Sequence, residues 1–115
     1  MKRTFRDYVE DILTSFEETQ EFTQRLDFES FAKDRKTVNA VVRSLEVMGE
    51  AAKRIPAEIR KKYPEIPWKR MTGMRDKLIH EYSGVDVEIV WGVVKTELPP
   101  LKPFFDQMLQ DLGKP

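Results

Sequence analysis

The chain has 115 residues, with 20 Lys and Arg balanced by 20 Asp and Glu, one His and no Cys. That length suits a single domain over residues 1–115 with one modest core, and the lack of Cys excludes disulfides, thiolate zinc sites and a Cys nucleophile. Regularly spaced apolar residues argue against disorder, no apolar run nears the roughly 18–20 residues needed to cross a bilayer, and the N-terminus lacks an apolar signal core, so a cytoplasmic protein without a membrane partner is expected.

The periodicity is helical nearly everywhere. Phe5, Tyr8, Val9, Ile12, Leu13 and Phe16 mark an amphipathic first helix over about residues 3–23. Asp27 is a candidate N-cap for a short turn holding Phe28 and Phe31. Val38, Val41, Val42, Leu45, Met48, Ala52 and Ile55 trace a second long helix that Pro56 ends. Within it Gly49, Ala51 and Ala52 offer small surfaces for close helix approach. Pro56 opens a short helix, where its missing N–H costs little. Tyr63-Pro64 and Ile66-Pro67 then break the chain. Pro67 opens a third long helix with Trp68, Met71, Met74, Leu78 and Ile79, which Ser83-Gly84 ends. Asp86 caps a fourth, with Val87, Ile89, Val90, Trp91, Val93, Val94 and Leu98. Pro99-Pro100 closes or kinks it, and Leu101, Phe104, Phe105, Met108 and Leu109 form a last helical segment. No strand alternation or hairpin signal competes. The expected fold is all-α, an up-and-down bundle of four main helices plus short ones.

The neutral total hides a pattern. Residues 1–31 carry net −4 and residues 78–115 net −3, whereas residues 53–77 carry 9 basic and 3 acidic side chains, net +6. A local basic field of this kind attracts polyanions, though a solvated face with ion pairs explains it equally well. No Gly-rich phosphate loop and no nucleophile elbow is present. One His without Cys makes a zinc centre improbable, and no clustered carboxylate motif announces a Mg²⁺ site.

What remains is Gly73-Met74-Arg75-Asp76-Lys77-Leu78-Ile79-His80-Glu81-Tyr82. Attack of an RNA 2′-OH on the adjacent phosphate needs a base, an acid and a cation. His80 can serve as base and acid, since an ordinary imidazole titrates near pH 6.5 (about). Arg75 suits the phosphate oxygens with its planar fork. No metal or other cofactor is required by that scheme. A plain reading stands beside it: His80 as a helix-end residue, Arg75 as an ion-pair partner of Asp76 or Glu81, Tyr82 as a core-edge aromatic. In a continuous helix five positions turn through about 140°, so Arg75 and His80 would not share a face. Either the helix loosens before His80 or a second subunit completes the site.

Three blocks of the chain resemble the HepT family of HEPN-domain proteins. They are Val42-Arg43-Ser44-Leu45-Glu46-Val47-Met48-Gly49-Glu50-Ala51-Ala52-Lys53; Ile66-Pro67-Trp68 with Met71-Thr72-Gly73-Met74-Arg75; and Arg75-x4-His80-x-Tyr82, followed by Val90-Trp91 and Leu98-Pro99-Pro100-Leu101. The resemblance implies a homodimeric HEPN bundle acting as a metal-independent endoribonuclease toxin. It implies Arg75 and His80 as the catalytic pair. It further implies neutralisation by AMP transfer onto Tyr82 from a nucleotidyltransferase antitoxin of the MNT type. Asp76, Glu50 and Arg43 are candidate supporting residues: Asp76 to orient Arg75 or His80, and Glu50 either to orient the catalytic Arg or to pair within the bundle, the latter being the favoured expectation. Arg60, Lys61, Lys62, Lys69, Arg70 and Lys77 are candidates for the RNA backbone. The competing expectation is a non-catalytic helical subunit that binds nucleotides or a nucleotidyltransferase partner.

Overall fold

The computed structural model describes residues 3–80 and 84–113, with the backbone alone at residues 75, 77, 79 and 80. Helices α1 (Phe5–Thr23), α2 (Phe28–Lys33) and α3 (Arg35–Lys53) come first. The short helices α4 (Ala57–Arg60), α5 (Trp68–Thr72) and α6 (Met74–Leu78) follow. Strands β1 (Ile79–His80) and β2 (Gly84–Val85) form a small antiparallel pair. Helix α7 (Val87–Gly92) runs into a π-helical turn (Val93–Glu97) and a 3₁₀ turn (Pro99–Leu101), and α8 (Lys102–Asp111) ends the fold.

Helix starts are fixed by short polar side chains. Thr4 and Asp7 form a reciprocal capping box, the Asp7 carboxylate accepting from the Thr4 amide at 2.8 Å. Asp27, Asp34 and Asp86 cap α2, α3 and α7 by accepting from the amides of Ser30, Thr37 and Ile89. The Ser30 amide holds Asp27 below the usual carboxylate range, and the Thr37 hydroxyl, together with its amide, does the same for Asp34.

The α1–α3 packing is the most extensive contact between elements. Val9, Ile12, Leu13 and Phe16 of α1 are buried with Val38, Val41, Val42, Leu45, Met48 and Ala52 of α3. Phe105 and Met108 of α8 close the core, with the Phe16 and Phe105 rings 5.6 Å apart. The chain is thus an all-α bundle apart from the two short strands, as the apolar spacing predicts. One member of the predicted stripe departs: Phe5, the first residue of α1, is 42% exposed.

Two predicted helices are not continuous. The expected helix from Pro67 to Ser83 stops at Thr72, restarts at Met74 and gives way to β1 at Ile79. Gly73 caps α5, its amide donating to the Lys69 carbonyl at 3.1 Å. The expected fourth helix loosens at Val93. An α-helix would send the Leu98 amide to Val94, yet it donates to the Val93 carbonyl at 2.9 Å. Pro99 and Pro100 supply no amides for the carbonyls behind them. Gln20 of α1 fills the vacancy, its Nε2 donating to the Val94 carbonyl at 2.7 Å.

Candidate active site

The segment that carries the candidates Arg75 and His80 is anchored where α3 meets the α5–α6 junction. A Cβ added at Gly49 would lie 3.1 Å from the Met71 carbonyl oxygen and 3.6 Å from the Met74 Cβ. Only glycine lets the backbones come this close without displacing one. Met74 and Leu78, four residues apart on α6, are both buried and lock that helix onto the bundle. Arg75 is the residue after Met74, so its backbone is held by this packing.

After Leu78 the chain leaves the helix. Ile79 pairs with Val85 and His80 with Gly84. Gly84, the first residue of β2, has φ +80°, a conformation open to glycine. The Asp86 amide then donates to the Leu78 carbonyl at 3.2 Å, satisfying an acceptor that the end of α6 leaves open. The helix therefore ends before His80, which is one of the two ways out of the 140° separation (about) between Arg75 and His80 on a continuous helix. The side chains of Arg75, Lys77 and His80, and the whole of Tyr82, lie outside the described residues.

The other candidates divide by environment. Asp76 is exposed on α6. Glu50 pairs with Lys53 at 3.2 Å on the outer face of α3. Arg43 and Glu50 share a cleft of about 210 Å³ with Tyr8, Asp11, Val47 and Arg54, between α1 and α3. Lys61, Lys62 and Lys69 are exposed. Arg70 is half exposed and pairs with Glu97 at 2.6 Å. Arg60 differs from the rest of the basic run. Its guanidinium donates to the carbonyls of Ile55 at 2.8 Å and of Ala52 and Lys53 at 3.1 Å, and it lies 5.9 Å from the Trp68 ring centre. It caps the C-terminal end of α3, a role that the basic run alone does not disclose. Among the described residues no group of His, Asp and Glu has metal-ligand spacing.

The profile of the family described as "Ribonuclease HepT-like" matches residues 12–108. The chain belongs to the ribonuclease HepT-like family. Among HepT-like relatives, "Probable ribonuclease HepT" of Thermococcus cleftensis is 50% identical over 108 residues, covering 94% of this chain and 98% of that protein. "Putative RNase MJ0125" of Methanocaldococcus jannaschii is 46% identical over 111 residues, covering 96% of each chain. "Putative RNase TTE0752" of Caldanaerobacter subterraneus is 45% identical, covering 94% of this chain and 96% of that one. No solved structure matches the chain.

Proposed function

We propose that this chain is a metal-independent endoribonuclease of one domain, residues 1–115, whose reacting groups are Arg75 and His80. Family membership supports RNA cleavage. The observation that carries the site assignment is the end of α6 at Leu78, two residues before His80. A helix to Arg75 followed by extended chain at His80 is compatible with both side chains reaching one phosphate.

In this reading His80 takes the proton of the RNA 2′-OH as the O2′–P bond forms. The P–O5′ bond breaks, and the imidazolium returns a proton to the leaving O5′. The products are a 2′,3′-cyclic phosphate and a free 5′-hydroxyl. Arg75 neutralises charge growing on the non-bridging oxygens. Asp76, one residue on, is the candidate that orients Arg75. The exposed Lys61, Lys62 and Lys69, with Arg70 and Lys77, gather the backbone without reading sequence. Arg60 is left out of that set because its donors already serve α3.

Neutralisation follows from the same chemistry. A nucleotidyltransferase partner transfers AMP from a nucleoside triphosphate to the Tyr82 oxygen, releasing pyrophosphate. Tyr82 is two residues from His80 in the sequence. An anionic nucleotide there would compete with RNA for Arg75 and repel its phosphates. The outer cleft of α1 and α3, with Asp11 and Glu50 beside Arg43 and Arg54, carries both charge signs. That composition supports pairing with a second copy in the homodimer.

The test is digestion of RNA by purified protein with EDTA present. Wild type cleaves, Arg75→Ala and His80→Ala do not while keeping their helical content, and AMP-modified protein does not. An intact RNA with wild-type protein would favour the binding-subunit reading. A mixture of Arg75→Ala and His80→Ala chains that regains cleavage would assign the two groups to different subunits of a dimer.

A further inference from the structure

A shallow groove of about 570 Å³ lies at the N-terminal side of the α5–α6 junction, lined by Pro67, Trp68, Lys69, Arg70 and Gly73. Its wall is almost wholly apolar, although it sits in the most basic stretch of the chain. The Trp68 ring is held in place. Its Nε1–H donates to the carbonyls of Arg60 and Tyr63, both at 3.1 Å, and its ring meets Phe105 edge-on at 5.7 Å and 84°. A ring already fixed can receive a partner without losing side-chain freedom on binding. Trp68 is only partly buried: the Arg60 guanidinium lies 5.9 Å from its ring centre, and the part of the residue left accessible lines the groove beside the exposed Pro67.

The geometry points to this groove as a base-stacking subsite for single-stranded RNA, with Trp68 as its platform. A pure phosphate track would need cations and no apolar wall. An apolar protein segment would gain nothing from Lys69 at the groove. An unpaired nucleotide offers both parts at once, a π-face for Trp68 and Pro67 and a phosphate for Lys69. A duplex hides its base faces, so the preference is for single strands. Arg70, held by Glu97 at 2.6 Å, forms the far lip of the groove.

Position gives the subsite its meaning. Gly73 and Arg75 are two residues apart, so their Cα atoms are no more than about 7 Å from each other. A base held at Trp68 would therefore fix which neighbouring phosphate comes to α6. This inference rests on the ribonuclease reading and extends it to how the strand is registered.

Trp91→Phe leaves Trp68 as the only tryptophan and keeps an aromatic ring against Phe31. With that protein, a dye-labelled single-stranded 2′-O-methyl oligonucleotide, which lacks the attacking hydroxyl, is titrated by anisotropy and by tryptophan emission. Binding should change Trp68 emission with the same midpoint as the anisotropy. Trp68→Leu should weaken binding about tenfold, and Lys69→Glu, at an exposed position, should weaken it without altering the fold. Inorganic polyphosphate should compete without changing the emission. The subsite is refuted if the oligonucleotide does not bind, or binds with unchanged emission. It is refuted equally if folded Trp68→Leu binds as wild type. Cleavage of the unmodified oligonucleotide is scored separately: cleavage without a Trp68 response removes only the subsite, and a Trp68 response without cleavage removes only the catalytic reading.

Discussion

Replacing Arg60 by Ala removes three hydrogen bonds from the end of α3 and a cation from the Trp68 ring. A hydrogen bond to a charged donor contributes about 1.5–3 kcal/mol net, and the ring contact about 0.5–1 kcal/mol. Water reaches these half-buried carbonyls once the side chain is gone, and contacts made by one group do not add. The expected loss is therefore about 2–3 kcal/mol, well below the simple sum. For a domain of this length it lowers Tm by roughly 6–12 °C and the urea midpoint by about 1–2 M. Arg60→Lys keeps the charge but not the planar fork, so it should show most of the same loss. RNA affinity, measured well below the melting range, should fall far less in either variant than in Trp68→Leu, since Arg60 only borders the Trp68 ring. A stable Arg60→Ala protein with sharply weakened RNA binding would refute this assignment and return Arg60 to the docking surface.

Gly49→Val should destabilise by about 2 kcal/mol, because the Met71 carbonyl, 3.1 Å from the new Cβ, belongs to backbone that yields only by moving α5 and α6; residual cleavage below the melting range should fall further than stability does. Gln20→Ala should cost about 1–2 kcal/mol in urea melts by leaving the Val94 carbonyl without its donor, and Gln20→Glu should not restore it. The Tyr63 hydroxyl donates to Asp111 at 2.6 Å, which holds that carboxyl below its ordinary value. Since the folded-state value is the lower one, the stabilisation is present above the ordinary carboxylate range and is lost as pH falls through the depressed value. Tyr63→Phe should accordingly narrow its gap to wild type on acidification. Burial pushes Tyr63 itself up to about 12, so the gap should also narrow as pH rises from about 10 towards that value.

Most of the scaffold is legible in local signals. The spacing of Val9, Ile12, Leu13 and Phe16, and of Val38, Val41, Val42, Leu45 and Met48, gives the two helices that pack together. Asp27 and Asp86 stand where caps are expected and act as caps. Gly49 reads as a point of close approach and is one. These signals are legible because each depends on neighbours within about a turn of helix. The catalytic candidates are legible in the same sense, as residue types at a spacing.

The run from Pro67 to Ser83 carries a helical pattern of Met71, Met74 and Leu78, and nothing local separates one helix from two short ones followed by a hairpin. Contact with Gly49, twenty-two residues upstream of Met71, fits that break. The Arg60 guanidinium looks like one more surface cation until the end of α3 is seen beside it. Trp68 reads as core until the groove it lines is found open.

Sequence alone determined the two long helices that pack together and most of the faces that turn inward, because helix period and capping are written in nearby residues. Tertiary structure alone decided where the helix stops ahead of His80 and which basic side chains remain available, because those outcomes depend on acceptors and backbones brought together from distant parts of the chain.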